Sequence, residues 1–161
     1  MVSQVEAKVK SIGTQTVAFV AMKGPYRLIE VTIRMMINVT MRKGYTIVGM
    51  PIGVFIDMPG QAPKDEQLWE VRFPIDSGAA PGTVDEHGMG IKRVEGFQFA
   101  HAVHIGPLNE IRMTIHRVIS WIGDNGYEIA GPLEEVYLTD PAGAEPHELV
   151  TEVGFPVRQN L

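Results

Sequence analysis

The sequence contains an ungapped internal repeat, and this feature restricts the possible folds more than any other. The segment AFVAMKGP at 18–25 aligns with AHAVHIGP at 100–107, and we call the constant offset that places Gly24 on Gly106 the repeat alignment. Identical pairs in this alignment include Gly24/Gly106, Pro25/Pro107, Ile29/Ile111, Thr32/Thr114, Ile33/Ile115, Gly44/Gly126, Tyr45/Tyr127, Ile47/Ile129, Gly49/Gly131, Val54/Val136, Pro59/Pro141, Glu66/Glu148, Glu70/Glu152, Val71/Val153, Phe73/Phe155 and Pro74/Pro156. Two copies of this length predict two structurally equivalent halves in one chain.

Each copy predicts the same order of elements, which is strand, helix, strand and strand. The first strand (16–22 and 97–104) ends at Gly-Pro, and a helix follows it (26–42 and 108–124). The second helix has apolar residues at the three-and-four spacing of a buried face, and these are Ile111, Ile115, Val118, Ile119 and Ile122. The remaining strands are predicted at 45–49 with 52–57, at 127–130 with 133–139, at 68–73 and at 149–155.

These elements predict one α+β domain, because 161 residues is the size of a single domain. We expect tandem strand–helix–strand–strand repeats at about 9–75 and 91–157, joined by the Gly-rich loop 76–90. A unit this small cannot bury both faces of its own sheet. We therefore expect the repeats to form an antiparallel sheet with two main helices, pseudo-twofold symmetry and a central ligand groove where the halves meet.

Composition and charge narrow the range of partners. The formal net charge is -5 and 45% of the residues are hydrophobic, so the chain has no basic surface for nucleic acid or anionic membranes. Cysteine is absent, which excludes disulfides, thiolate catalysis and cysteine-based metal sites. The longest apolar run, 17–22, is too short to span a bilayer, and the first residues lack an apolar core of signal-peptide length. We therefore expect a cytoplasmic protein with no membrane partner.

One predicted strand carries two acidic residues that the fold does not require. The stretch GPLEEVYLTDP at 131–141 reads as a strand between two turns, with Glu134 and Glu135 at its front. In the repeat alignment these acids correspond to Ile52 and Gly53. A carboxylate that corresponds to a glycine suggests a pocket, in which one half supplies charge and the other supplies space. The alternative is that both glutamates lie on a solvated strand end, as most acidic residues do.

Strand alternation separates the two acids. Leu133, Glu135 and Tyr137 share one face of the predicted strand, whereas Glu134 lies on the other. Tyr137 corresponds to Phe55 of the first copy. A carboxyl and a phenol two residues apart on one strand face can act together on the same ligand.

The order of these motifs resembles the GyrI-like family of small-molecule-binding domains, which also occur as effector-binding domains of multidrug-sensing transcription activators and have a SOUL-like fold. The resemblance covers nearly the whole chain, and its motifs are specific in their order and spacing rather than singly. It rests on Gly-Pro before the first helix, on the Glu-x-Tyr strand, and on Trp121, Gly126, Tyr127, Thr151, Glu152 and Pro156. It implies the same tandem repeat and a small-molecule ligand.

The resemblance also implies a ligand site. The acid of the Glu-x-Tyr strand, here Glu135, is expected at the floor of the ligand groove with Tyr137 as its companion. The corresponding Gly53 and Phe55 depart from the acid–tyrosine pattern, so the pocket is expected to be asymmetric. Further ligand-binding candidates are Trp69, Trp121 and Glu152. Aromatic faces attract cations, although an aromatic residue in a small α+β domain is more often part of the core.

Metal and cofactor signals are weak, and we predict neither a metal site nor a cofactor. His101 and His104 are three apart on a strand and point to opposite faces, so they cannot hold one ion. His87 falls in a loop. The remaining alternative is a haem role, as in the similar SOUL proteins, with His104 as axial ligand. No Gly-rich phosphate loop follows a strand, and there is no room for a separate helix-turn-helix, so we expect no direct nucleic-acid binding.

Three classes of function remain open. The first is a stand-alone module that senses or sequesters lipophilic, cationic or aromatic xenobiotics. The second, which the resemblance suggests, is a hydrolase that opens strained rings of genotoxic compounds such as electrophilic cyclopropanes, with Glu135 and Tyr137 as the catalytic pair. The third is a protein-binding role, as in the gyrase-modulating members of the family. The residues alone do not separate these classes.

Overall fold

The computed structural model describes residues 6–58, 61–82, 85–86, 88–140 and 143–160. The predicted match of Pro59 with Pro141 and the loop position of His87 lie outside these residues. The described strands are β1 (Lys8–Ile12), β2 (Gln15–Lys23), β3 (Ile52–Phe55), β4 (Leu68–Pro74), β5 (Met89–Val94), β6 (Phe97–Ile105), β7 (Tyr127–Ile129), β8 (Leu133–Tyr137) and β9 (Val150–Gln159), and the α-helices are α1 (Ile29–Arg42) and α2 (Ile111–Asp124). All strand pairs given by the described residues are antiparallel, which confirms the α+β fold class.

The chain forms two compact units. The C-terminal unit consists of Met1–Ile12 and Phe97–Leu161, and the N-terminal unit of Gly13–Gly96. In the C-terminal unit the strand order is β1-β6-β9-β8, with β7 also paired to β9. In the N-terminal unit the order is β3-β4-β2-β5.

Strand register is the same in both units under the repeat alignment. Ile52 pairs with Arg72 between β3 and β4, and Glu134 pairs with Gly154 between β8 and β9. Glycine ends both α-helices, because Gly44 and Gly126 have φ values of 84° and 79°, which other residues rarely adopt. The pseudo-twofold relation between the repeats stays a prediction.

The strand at the start of each predicted repeat belongs to the unit formed by the other repeat. By sequence, β1 lies at the start of the first repeat, yet it pairs with β6 of the C-terminal unit. The strand β5 lies at the start of the second repeat and pairs with β2 of the N-terminal unit. These pairings are equivalent, since Lys8 lies opposite His101 and Gly90 lies opposite Phe19. Because β5 begins at Met89, the predicted loop 76–90 ends earlier than the sequence suggested.

The helices cover one face of each sheet. In the C-terminal unit α2 packs on β6, β7 and β9, and in the N-terminal unit α1 packs on β2 and β4. The buried residues of α2 are Ile111, Thr114, Ile115, Val118 and Ile122, which is the apolar stripe that the sequence predicts, except that Ile119 is only half-buried. A 3₁₀ turn precedes each α-helix, at Tyr26–Leu28 and Leu108–Glu110. Within the described residues, neither helix combines the length and the apolar character needed to cross a bilayer.

Candidate functional site

The strand β8 places Glu135 and Tyr137 on the face of the C-terminal sheet that α2 covers. Tyr137 pairs with Thr151 of β9, and Thr151 pairs with His104 of β6. Paired residues of antiparallel strands share a face, and His104 contacts Thr114 of α2. We call this surface, with Glu135, Tyr137, Thr151 and His104, the helix face. The opposite surface of the same sheet is the outer face.

Glu135 and Tyr137 form a direct hydrogen bond. The Tyr137 hydroxyl donates to Glu135 Oε1 over 2.8 Å, and Tyr137 is 4% exposed while Glu135 is 8% exposed. Burial raises the pKa of the Glu135 carboxyl from 4.5 to about 7, and the hydrogen bond from Tyr137 opposes this rise. Burial and the adjacent carboxyl together raise the pKa of Tyr137 well above its ordinary value, so its hydroxyl keeps its proton. A carboxyl that titrates near neutrality can both attract a cation and transfer a proton.

The solvated strand end, which was the alternative explanation of the two acids, is wrong. Glu134 is 6% exposed and Glu135 is 8% exposed. Glu134 pairs with Gly154 and therefore lies on the outer face, as strand alternation predicts. The two acids therefore occupy opposite surfaces of one strand.

Glu152 lies on the outer face, away from Glu135. It pairs with Val136 on β8. Lys10 Nζ lies 2.8 Å from Glu152 Oε2, and His101 Nδ1 lies 3.3 Å from the same oxygen. Hydrogen bonding to His101, together with Lys10, lowers the pKa of Glu152 despite its partial burial.

The same ion pair occurs in the N-terminal unit, at the positions that the repeat alignment assigns to it. Lys92 Nζ lies 2.9 Å from Glu70 Oε1, as Lys10 lies beside Glu152. The pair links β1 to β9 in the C-terminal unit and β5 to β4 in the N-terminal unit. Glu152 is accordingly explained by strand pairing, and the structure does not bring it together with Glu135.

The candidates Gly53, Phe55 and Trp69 lie in the N-terminal unit, where all three are buried. Phe55 pairs with Trp69 between β3 and β4. Trp69 is 1% exposed, and its Nε1 donates to the Gly24 carbonyl over 2.9 Å, so its ring belongs to the core of this unit. Tyr26 completes the cluster with an edge contact to Phe55 at a ring-centroid distance of 4.9 Å.

Tyr26 was missed by the sequence analysis, although one signal was present. The residue that corresponds to it in the repeat alignment is Leu108. An aromatic residue that departs from its repeat partner in this way resembles the departure that singled out Glu135. The comparison of the copies would therefore have indicated Tyr26 as well.

Trp121 lies far from Tyr137 along the sheet. It stacks on Tyr127 at a ring-centroid distance of 5.9 Å, and Tyr127 pairs with Gln159 at the far end of β9. Tyr137 pairs with Thr151, eight residues earlier on that strand (159 − 151 = 8), which corresponds to about 26 Å of extended chain. Trp121 is half-buried and does not form a wall beside the Glu135–Tyr137 pair.

His104 does not offer a ring nitrogen for haem. Its Nδ1 lies 2.9 Å from Thr114 Oγ1, and its Nε2 lies 3.0 Å from the Pro107 carbonyl. The histidine is 7% exposed, so axial ligation would break a buried hydrogen bond. In the part of the chain that the structure describes, no group of three or more His, Cys, Asp or Glu residues is arranged to hold a metal ion.

The chain belongs to the GyrI-like small-molecule-binding domains, whose family model matches residues 6–158. A comparison with curated proteins gave no match.

Solved structures share the fold at low sequence identity. The EcmrR C-terminal domain has a TM-score of 0.81 and 18% identity, with 97% of this chain and 99% of that chain covered. In the EcmrR–DNA complex the match covers 99% of this chain and 59% of the EcmrR chain, with 17% identity and the same TM-score of 0.81.

Two further matches differ in what their names describe. A crystal structure of a hydrolase from Listeria innocua has a TM-score of 0.68 and 19% identity, covering 95% of this chain and 92% of that one. The structure of SAV2435 bound to tetraphenylphosphonium has a TM-score of 0.55 and 11% identity, covering 95% and 94%. At these identities the likeness concerns the fold alone.

Proposed function

We propose that this protein binds lipophilic cationic or aromatic xenobiotics and thereby senses or sequesters them, with Glu135 and Tyr137 as the polar part of the binding site. The observation that carries the proposal is the buried Glu135 carboxyl, whose hydrogen-bond donor among the described residues is the Tyr137 hydroxyl. A small-molecule-binding family supplies the general class of ligand. Binding of a phosphonium cation by SAV2435, which shares the fold, supports the choice of ligand charge.

The physical reason is the cost of burying an uncompensated carboxylate. Ionised Glu135 lacks a cationic partner among the described residues, so its negative charge is poorly stabilised. A bound cation supplies that charge and removes the cost. The Tyr137 hydroxyl keeps the carboxyl in place through its hydrogen bond to Oε1.

Binding can be tested with tetraphenylphosphonium and a panel of hydrophobic cations and neutral aromatics. A ligand that binds the folded state raises the melting temperature, and calorimetric titration at about pH 8 gives the dissociation constant. We expect Glu135→Gln to weaken the binding of cations by roughly 2 kcal/mol or more, which is about 30-fold in the dissociation constant, because the bound cation loses its counter-charge.

Two controls make this result specific. Glu134→Gln, on the outer face, is expected to change the affinity for cations little. Glu135→Gln is expected to lower the affinity for neutral ligands less than the affinity for cations. Equal losses in the two variants would contradict the assignment of the helix face. Absence of any stabilising ligand in the panel would count against the proposed function itself.

A second candidate function is hydrolysis, which the Glu135–Tyr137 pair also favours. A carboxyl with a pKa of about 7 next to a protonated phenol can activate water and protonate a leaving group. The substrate class that fits is an electrophilic, strained ring that water opens without a cofactor.

Turnover separates the enzyme from the binder. If the protein is a hydrolase, it will convert more than one equivalent of a cyclopropane-bearing electrophile to a water-added product. Both Glu135→Gln and Tyr137→Phe should stop this reaction while circular dichroism shows an intact fold. Product that never exceeds background hydrolysis, despite measurable binding, would rule out the hydrolase for the compounds tested.

A further inference from the structure

The hydrogen bond from Tyr137 divides the two oxygens of Glu135. Oε1 accepts the Tyr137 hydroxyl at 2.8 Å. Oε2 has no hydrogen-bond partner among the described residues, and the protein does not enclose this atom completely. Glu135 as a whole is 8% exposed. One oxygen is therefore fixed by the protein, and the other is left for a ligand.

A free carboxyl oxygen can interact with a ligand in two opposite ways. When Glu135 is ionised, Oε2 carries negative charge and attracts a cation. When Glu135 is protonated, Oε2 becomes a hydroxyl that donates a hydrogen bond. The Tyr137 hydroxyl donates to Oε1 in both states, so protonation changes the character of the free oxygen without releasing the fixed one.

We propose that this gives the site two binding modes, in which ionised Glu135 takes lipophilic cations and protonated Glu135 takes neutral lipophilic ligands with one strong hydrogen-bond acceptor, so that the two classes bind with opposite dependence on pH. This inference rests on the proposed function and specifies its ligands. It explains why a carboxyl without a cationic partner is useful in a binding site, since a permanent ion pair would remove the neutral mode.

The described residues that face Glu135 from β9 and β6 carry no permanent charge. On β9 its neighbours are Val153 and Thr151, and on β6 the helix face continues with Ala102 and His104. Both ring nitrogens of His104 are already engaged.

The helix α2 adds no buried charge to this face. Its buried residues are uncharged, whereas its charged or titratable residues are exposed or half-buried, and these are Arg112, His116, Arg117 and Asp124. Burial and the Tyr137 hydrogen bond set the pKa of Glu135 near 7. Both charge states are therefore populated close to neutral pH.

A matched pair of probes tests the inference. Methyltriphenylphosphonium is a permanent cation, and triphenylphosphine oxide is a neutral acceptor of nearly the same size. Neither titrates in the range used. For a group with a pKa of about 7, linkage predicts that the cation binds roughly 30-fold more weakly at about pH 5.5 than at about pH 8.5, and that the oxide shows the reverse. Calorimetric titration of the full chain measures both dissociation constants.

Variants assign the pH dependence to this carboxyl. Glu135→Gln should flatten both curves. Tyr137→Phe should move both midpoints to higher pH, because it removes the hydrogen bond that lowers the pKa of Glu135. Glu95→Gln removes an exposed carboxyl and should leave both curves as in the wild type, which controls for net charge.

The possible outcomes separate the two binding modes from the proposed binding function. Opposite slopes that disappear in Glu135→Gln support the two modes. Binding of either probe with a flat profile, or with both slopes in the same direction, overturns the two modes and leaves a binding protein. Failure of both probes at every pH overturns the inference together with the choice of ligand class.

Discussion

Burial of the Glu135 carboxyl makes its ionisation costly, and no cationic side chain among the described residues offsets this cost. The first copy of the repeat has Gly53 and Phe55 at the corresponding positions of a strand with the same register. The fold therefore forms this strand without an acid. A residue that weakens the protein and that the scaffold does not need is explained best by a role in ligand binding.

This cost predicts a dependence of stability on pH. The folded-state pKa of Glu135 lies at about 7, above its ordinary value of 4.5, so the folded protein holds a proton between these values that the unfolded chain has lost. The contribution of Glu135 to the free energy of unfolding is therefore largest below pH 4.5 and falls as the pH rises to about 7. Above that pH it stays constant. The total loss of stability is about 3 kcal/mol.

The variant Glu135→Gln isolates that contribution. The amide keeps an oxygen that can accept the Tyr137 hydroxyl but does not ionise. We expect the variant to gain up to about 3 kcal/mol relative to the wild type between about pH 5 and about pH 8. Urea unfolding of both proteins across this range gives the difference. A difference independent of pH would mean that Glu135 ionises as easily in the folded protein as in the unfolded chain.

At the scale of elements, the pairing of β6 with β9 depends on the absence of a side chain. A Cβ on Gly154 would come within 2.1 Å of the Ala100 carbonyl oxygen and 2.9 Å of His101 Cα, both backbone atoms. The corresponding residue of the N-terminal unit is Arg72, so this close approach is particular to β6 and β9. The strand β9 carries Glu152, the partner of Lys10, and it also pairs with β8.

We expect Gly154→Ala to destabilise the protein by about 3 kcal/mol, because the strands must separate to admit a methyl group. The matched control is Gly123→Ala in α2, where an added Cβ meets nothing within 4 Å. That substitution should stabilise the helix by about 0.5 kcal/mol. Chemical denaturation measures both values. A mild effect of Gly154→Ala would indicate that β6 and β9 pair less closely than described.

The strand β1 makes a second prediction at this scale, since it belongs by sequence to the first repeat but by pairing to the C-terminal unit. Deleting residues 1–12 should expose the backbone of β6 and accelerate its amide hydrogen exchange, while β2 and β4 stay protected. Val9→Pro, which disturbs β1 without removing it, should show the same pattern more weakly. Loss of protection confined to the N-terminal unit would contradict this assignment.

Local patterns in the sequence predicted most elements, whereas the positions of two site candidates depended on long-range register. Glu135 and Tyr137 are two apart on one strand, so alternation alone placed them together. Glu152 and Trp121 could not be placed in this way, because their surroundings depend on how β9 pairs with β8, β6 and β7. The strand β1 was missed for the same reason, since its partner β6 is remote in sequence.

At the scale of the whole molecule, charge determines what the chain can bind through long-range attraction. The sequence has 14 Lys and Arg against 19 Asp and Glu, for a formal net charge of -5. Several of the lysines and arginines are already paired with carboxylates, namely Lys10, Lys43, Arg72, Lys92 and Arg158. This distribution opposes contact with a polyanion.

We therefore predict that the isolated chain does not bind DNA at physiological salt. Affinity for DNA arises mainly from basic residues that neutralise phosphates and release counterions, and the net charge of -5 provides the opposite field. The EcmrR–DNA complex does not alter this expectation, since the chain matches 59% of EcmrR and the likeness concerns the fold. A mobility-shift assay with duplex DNA, with and without a saturating hydrophobic cation, tests the prediction. Micromolar binding that weakens as salt rises would contradict it, because such dependence requires the phosphate contacts that this charge distribution disfavours.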